Sequence, residues 1–527
     1  MGGWWRTSSA TVSLPRRFWQ GWRSVASRGA RLRIPLGLGV TFLVAQALFA
    51  LAGVRFAPHM ALSSEEVMDP ALLRHDLWQT LLYLHAQPPL YNLFIGVWLK
   101  VFGAGGAFDL SLHVLFLLTA LVAYAAGYAL QRRLGVGRGL AYAVSTALLV
   151  SPAFVLYENL AFYTLPVATL LLLASLALHA AVTGRRPWPW VAFFGLLFVL
   201  CGIRSTFVLP FYLAVALLLA WVLRRRARTI LLAALPFGLL VFGFYAKNAV
   251  VFGQFTDSSW MGMNLAGTMY THIPTPRLRA LVAAGRMPAI ALVPRFSRVP
   301  VYAGMAPPAC AAIGAPILTE AVTSVGRRNL DNCVYLGASQ RYLRADLAGV
   351  RACPACFVYA FAHAWYIYFR PAEQYHLIPK SNRAAIAGWI RAWPLSAPLH
   401  VDAAGLYLRL MHANGLRAHA ARPKTIYPWL VLSLVAALAS GVAVTLGGLG
   451  SARDEPRRIV CAWLTGVVLF VGVVSNIGEV GDNMRFRFAT DPLSCCLLGV
   501  ALEYAVGWAR RRFAARARGA LPAGSRP

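Results

Sequence analysis

Acid is scarce in this chain, with 18 Asp and Glu against 50 Lys and Arg in 527 residues, yet four of the acids fall close together. Glu65, Glu66, Asp69 and Asp76 precede His85-Ala86-Gln87-Pro88-Pro89-Leu90-Tyr91-Asn92. A carboxylate held in a loop can take the proton of an attacking hydroxyl as a general base. Far along the chain, Glu479 and Asp482 lead into Asn483-Met484-Arg485-Phe486-Arg487-Phe488. Guanidinium groups keep their charge and match phosphate oxygens with a fork of donors. Arg alternating with Phe suits an element that grips a charged headgroup and an apolar chain together; an interfacial anchor is the other reading. A base for the nucleophile and fixed cations for the leaving group are what transfer from a phosphate carrier requires.

Among the loop acids Asp69 is the first candidate for the base and Glu66 the second. Asp69 stands before Pro70, where Asp is also a favoured helix N-cap. His85 and Gln87 read as orienting groups, with direct proton transfer in catalysis the other reading of His85, while Pro88, Pro89 and Tyr91 shape the element. Arg204, between two apolar runs, is either a second phosphate contact or a snorkelling boundary residue. Glu158-Asn159 lies at another such boundary, where an acid must be solvated or paired, and Arg204 is its expected partner. Phe255-Thr256-Asp257-Ser258-Ser259-Trp260-Met261-Gly262-Met263-Asn264 offers an aromatic face and an amide, Trp260 and Asn264, to a sugar ring; a structural join is the alternative. No HExxH, P-loop, GxGxxG with a supporting strand, or Ser-His-Asp spacing occurs.

The elements that carry these residues are read from hydropathy. The chain is 59% hydrophobic and 13% charged, about half the charge of a soluble domain. Apolar runs near 34–54, 108–130, 139–157, 160–183, 188–203, 205–223, 229–250, 427–450, 458–476 and 490–509 predict about ten transmembrane helices. Residues 88–103 are apolar but short and contain Lys100. Reading them as a helix in the interface puts Arg132, Arg133, Arg138, Arg185, Arg186, Arg224 to Arg226, Arg228, Arg453, Arg457, Arg458 and Arg510 to Arg512 on the side of the N-terminus, as the positive-inside rule asks. The net charge of +32 then reflects topology and anionic lipid; no nucleic acid is implied. The organisation is a basic tail over 1–33, a membrane module over 34–250 with its first outer loop at 55–107, an outer soluble segment over 251–424, membrane helices over 425–509 and a basic tail over 510–527. Cys310, Cys333, Cys353 and Cys356 fall in the outer segment and predict structural disulfides there, ahead of redox or zinc chemistry at Cys353-Pro354-Ala355-Cys356. Cys201, Cys461, Cys495 and Cys496 lie in apolar runs as packing residues.

One span, a carboxylate loop and then H-x-Q-P-P-L-Y resembles the GT-C superfamily of membrane glycosyltransferases. The likeness is greatest to the branch of protein O-mannosyltransferases and lipid A aminoarabinose transferase, with an echo at Asn483–Phe488. The resemblance covers mostly the first hundred residues and the membrane organisation. It implies an all-α polytopic protein of a bacterial inner (plasma) membrane that moves a sugar from a polyprenyl-phosphate donor to an acceptor outside the cytoplasm. The acceptor could be lipid, glycan or protein. It also implies no metal or cofactor, Asp69 or Glu66 as base, and Arg485, Arg487 and Arg204 on the phosphate. The Glu65-Glu66 pair sits closer to the Pro-Pro element than the family pattern. A lipid-linked sugar flippase or transporter is the alternative, though such proteins concentrate ionisable sites at the bilayer midplane. A non-catalytic scaffold explains the composition but not the polar residues gathered on one side.

Overall fold

A computed structural model describes residues 36–400, 425–447 and 454–519, with side chains to position 513, and single helical positions at 409 and 413. The basic tail 1–33, most of the segment beyond 400, Arg453 and the end of the basic C-terminal tail lie outside the described residues. Two compact units divide the chain, Met1–Leu48 and Phe49–Pro527. Everything below lies in the second, apart from most of the first apolar helix, Leu36–Leu51.

Among the described residues the regular elements are helices, apart from one short antiparallel strand pair, Leu399–His400 with Thr425–Ile426. Among the described residues six helices are long and apolar enough to cross a membrane: Gly106–Arg133, Thr164–Thr183, Arg224–Phe252, Pro428–Thr445, Glu455–Gly478 and Asn483–Phe513. Two bent pairs raise the number to eight, Arg138–Leu149 with Pro152–Glu158 at 59° and Cys333–Ala352 with Pro354–Tyr368 at 108°. This is an integral membrane protein. On length the count falls below the ten expected, because the runs at 34–54, 188–203 and 205–223 form the shorter helices Leu36–Leu51, Trp188–Ile203 and Leu209–Val222. The bends have local causes. Pro152 cannot donate into the preceding turn, and Ser151 Oγ caps the new helix by accepting from Phe154 N at 3.3 Å. Residues 88–103 form the helix Pro89–Phe102 with Pro at its first turn, as proline's fixed φ favours. Its 14 residues span about 21 Å, short of a ~30 Å hydrocarbon core.

Thr164–Thr183 is the hub of the bundle, buried on most of its faces by Leu165, Val167, Leu171, Leu172, Ser175 and Leu178. Water cannot drive helices together inside lipid, so close packing and polar cross-links must do it. Trp463 Nε1 donates to Ser175 Oγ at 3.0 Å, Ser440 Oγ to the Leu497 carbonyl at 2.8 Å and Gln131 Nε2 to Ser145 Oγ at 2.8 Å.

The segment from 253 to 400 belongs to the same compact unit as the bundle. Its core gathers Met263, Tyr302, Tyr335, Ala338 and Tyr342 around the helices Met261–Met269 and Cys333–Ala352. The two disulfides are Cys310–Cys333 and Cys353–Cys356. The first joins Pro308–Ala311 to the start of Cys333–Ala352; the second closes the corner between Cys333–Ala352 and Pro354–Tyr368. Both sulfurs of the C-x-x-C pair belong to buried residues, a poor position for thiol exchange with a partner. Cys201, Cys461, Cys495 and Cys496 are free, and all but Cys495 are buried.

Helix approach here depends on a glycine. A Cβ at Gly262 would stand 2.0 Å from the Ser339 carbonyl oxygen, a backbone atom that cannot swing aside. Gly262→Ala must push Met261–Met269 away from Cys333–Ala352, at a cost of ~3 kcal/mol, the upper end for overpacking. We expect the thermal midpoint of the detergent-solubilised protein to fall by several degrees. Gly388→Ala, with nothing within 4 Å of its added carbon, should leave it unchanged.

Candidate functional site

The helix ends decide what meets what. Trp188–Ile203 and Glu455–Gly478 end where Thr164–Thr183 and Asn483–Phe513 begin. At that end of the bundle the loop 63–66, the Pro-Pro element and the 253–265 stretch close over a cavity of about 650 Å³. Its wall includes Glu66, Gln87, Tyr163, Arg204, Asp257, Trp260, Asn264, Tyr375, His376, Asp482, Arg485 and Phe486. Six residues expected from the sequence are therefore brought together: Glu66, Gln87, Arg204, Trp260, Asn264 and Arg485.

Arg485 is the hub of the charge network. Its Nη1 lies 3.1 Å from Glu66 Oε1 and donates to the Tyr375 hydroxyl at 3.1 Å, and its Nη2 is 3.7 Å from Asp482 Oδ2. The guanidinium sits against the rings of Phe162, Tyr375 and Phe486 at 5.1, 5.1 and 5.2 Å. Asp482 also meets His376 Nδ1 at 3.3 Å. Burial pulls the Asp482 carboxyl up, but the hydrogen bond from His376 and the Arg485 charge outweigh it and hold the group below the usual range. His376 is raised in return, chiefly by that hydrogen bond.

Arg204 is 4% exposed, and its guanidinium lies over Phe486 at 4.2 Å and near Tyr163 at 5.6 Å. Its Nε donates to Thr206 Oγ1 at 3.2 Å. Arg204 Nη2 and Arg485 Nε are buried without a hydrogen-bond partner. Facing aromatic rings offset part of the cost of a buried cation, yet such a group normally takes an anion. Two residues of this wall thus each keep a buried guanidinium nitrogen without a hydrogen-bond partner, close to the Glu66 carboxylate.

Other expected residues have structural duties away from the cavity. Asp69 Oδ1 caps the helix Pro70–His75 by accepting from Ala71 N at 2.8 Å, and its Oδ2 accepts from Ser324 N at 2.7 Å. Ser324 Oγ donates to the same carboxylate. Asp69 thus makes the cap's bonds and does not line the cavity, whereas Glu66 does. Arg487 stands two residues after Arg485, about 200° round the helix, and points the other way. Its Nη1 donates to the Tyr368 and Arg370 carbonyls at 2.5 and 2.6 Å, and its Nε meets Asp491 at 3.2 Å. Asn483 fastens the preceding turn through Asn476 Oδ1 at 2.8 Å and the Glu479 carbonyl at 2.9 Å. Asn159 bonds the Val155 carbonyl at 2.9 Å, and its own carbonyl accepts from Ala57 N at 2.9 Å. Glu158 is buried beside it and does not line the cavity.

His85 also acts from behind the wall. Its Nδ1 is 2.7 Å from Ser259 Oγ and its Nε2 is 2.8 Å from the Asp331 carbonyl. A carbonyl can only accept, so Nε2 carries the proton and Nδ1 accepts from Ser259. Ser258 Oγ donates to the Ala86 carbonyl at 2.6 Å, and Ala86 N donates to Asp331 Oδ1 at 3.0 Å. These bonds fix the Pro-Pro element so that Gln87 faces inward. Burial, aided by the Lys247 charge, pushes the His85 imidazole down to about 3. With an unfolded value near 6.5, the unfolded chain binds the extra proton between those limits. The contribution of His85 is whole above pH 6.5 and shrinks by up to ~1.4 kcal/mol per pH unit as pH falls toward 3. The thermal midpoint should fall less steeply from pH 6.5 to 4 in His85→Asn than in the parent.

Asp257, Tyr375 and His376 were not singled out from the sequence. Burial pushes the Asp257 carboxyl up to about 7, against a hydrogen bond from Tyr245. The scarcity of acid in its stretch was the one signal that could have marked it; Tyr375 and His376 carry none. Among the described residues no three His, Cys, Asp or Glu side chains are grouped to hold a metal ion. No family model, curated protein or solved structure matches the chain.

Proposed function

We propose that the chain is a GT-C-like membrane glycosyltransferase that uses a polyprenyl-phosphate sugar. One observation carries this reading: Glu66 shares a 650 Å³ cavity with Arg485 and Arg204, two buried guanidiniums that each keep an unbonded nitrogen. The volume suits a sugar phosphate with an acceptor group. The donor phosphate takes the two arginines, and Glu66, relieved of part of its pairing with Arg485, accepts the proton of an acceptor hydroxyl. The hydroxyl oxygen bonds to the anomeric carbon while the bond from that carbon to the phosphate oxygen breaks. The electron pair leaves with the polyprenyl phosphate, whose new charge stays on the guanidiniums. Trp260, Asn264 and Gln87 supply a ring face and amides to the sugar. Attack opposite the leaving group inverts the anomeric centre.

Ten crossings, counting the bent pair Arg138–Leu149 with Pro152–Glu158 and the shorter helices Leu36–Leu51, Trp188–Ile203 and Leu209–Val222 but neither Pro89–Phe102 nor the pair Cys333–Ala352 with Pro354–Tyr368, would keep the basic loops on the side of the N-terminus and the cavity outside the cytoplasm. The two disulfides favour the same side, since an oxidising compartment sustains them. The test is transfer by purified protein in lipid from a panel of radiolabelled polyprenyl-phosphate sugars. Carrier-dependent turnover supports the reading. Tight binding of polyprenyl phosphate without turnover for any sugar would move it to a flippase.

A further inference from the structure

Beside the cavity lies a second, open depression of about 540 Å³, lined by Glu65, Ser297, Arg298, Arg327 and Arg328 among others. Glu65 and Arg327 border both spaces, so the two are adjacent. Arg328 is committed: it pairs with Glu65 and donates to the Phe296 carbonyl. Arg298 and Arg327 are exposed, and among the described residues neither forms an ion pair. With Glu65 neutralised by Arg328, two cations face the depression unopposed.

The rim is held in place rather than left to chance. Asp69 grips the turn before Arg327 through Ser324. That turn is closed by Thr323 N to the Arg327 carbonyl at 2.8 Å and Arg327 N to Thr323 Oγ1 at 3.1 Å, with Gly326 at φ 76°. On the opposite rim, Phe296 lies at φ 53°, the one non-glycine at positive φ among the described residues. Its ring meets Trp260 in the cavity wall at 5.8 Å, and the next two residues enter the depression. A strained conformation of this kind persists only where its surroundings enforce it, and such places cluster at ligand sites.

We propose that this depression receives the acceptor, and that the acceptor carries phosphate groups near the hydroxyl to be glycosylated. The inference rests on the transferase reading and adds the acceptor's chemical class to it. Phosphate on the acceptor engages Arg298 and Arg327 through charge-assisted hydrogen bonds, while the hydroxyl reaches past Glu65 toward Glu66. The Glu65-Glu66 pair then stands astride the two sites, Glu65 fixing the acceptor rim and Glu66 facing the donor.

The test uses the full-length protein and two probes. Tripolyphosphate binding is measured by calorimetry in detergent. Recruitment of phosphatidic acid is measured by native mass spectrometry after reconstitution with phosphatidylcholine and phosphatidic acid. The double variant Arg298→Gln/Arg327→Gln should lose about tenfold in affinity for at least one probe, the worth of one charged hydrogen bond. Loss with tripolyphosphate alone supports a soluble phosphorylated acceptor, and loss with phosphatidic acid supports a lipid acceptor. Unchanged binding of both probes would overturn the proposal. Polyprenyl-phosphate binding, measured in parallel with Arg485→Gln, reads the donor site independently. The rim can thus fail while the transferase reading stands, or hold while that reading falls.

Discussion

Glu66→Gln is expected to reduce sugar transfer by about 10²- to 10⁴-fold, the usual worth of a positioned general base. The glutamine keeps the shape and can still accept a hydrogen bond from Arg485, while Arg485 retains Asp482 and Tyr375. Folding and donor affinity should therefore survive, and the loss should fall on kcat. Asp69→Asn is the informative companion. An asparagine oxygen can still cap Pro70–His75, but the grip on Ser324 weakens. The turn carrying Arg327 then loosens, so the acceptor KM should rise with kcat kept within about tenfold of the parent. Single-turnover assays with both variants decide the assignment. Loss of chemistry in Asp69→Asn with full activity in Glu66→Gln would sink Glu66 as the base.

Arg485→Gln should weaken polyprenyl-phosphate binding by about 10- to 100-fold, as expected for losing a charge-assisted pair worth ~1.5–3 kcal/mol. It should also lower stability by ~3 kcal/mol, because Glu66 and Asp482 lose the cation that neutralises them in a half-buried site. Arg485→Lys should restore stability better than donor affinity. An ammonium can pair with one carboxylate but cannot present the planar fork that spans Glu66, Tyr375 and a phosphate. Arg487→Gln is the control. Its partners are two backbone carbonyls and Asp491, so its thermal midpoint should drop while donor affinity in the folded fraction stays level. Equal donor affinity in Arg485→Gln and the parent would remove Arg485 from the phosphate site.

These contrasts mark where the sequence was readable. Arg485-Phe486-Arg487 looks like one gripping element when written out. On a helix the two arginines face opposite ways, and side-chain direction assigns one to the cavity and the other to a structural clamp. Asp69 before Pro70 carried two meanings at once, cap and base. In the fold its oxygens meet the start of Pro70–His75 and the distant Ser324, 255 positions along the chain. His85 stood beside the Pro-Pro element as a candidate for chemistry. Its two ring nitrogens are both spent on residues from the 253–400 region, contacts no local pattern reveals.

The sequence by itself determined an apolar helical chain with its arginines in short loops, because hydropathy and charge act within single elements. It marked the acid-bearing loop, the buried element after it and the arginine pair that opens the last helix, since charge inside an apolar chain needs a reason. Only the tertiary structure decided which carboxylate faces which guanidinium. Glu66 and Arg485 are 419 positions apart, and their meeting depends on which helix ends coincide and which way each side chain turns. That choice is made by packing: close contacts at Gly262, the Asp331 clamp on His85 and the aromatic floor beneath Arg204. None of it is encoded in the spacing of the residues concerned.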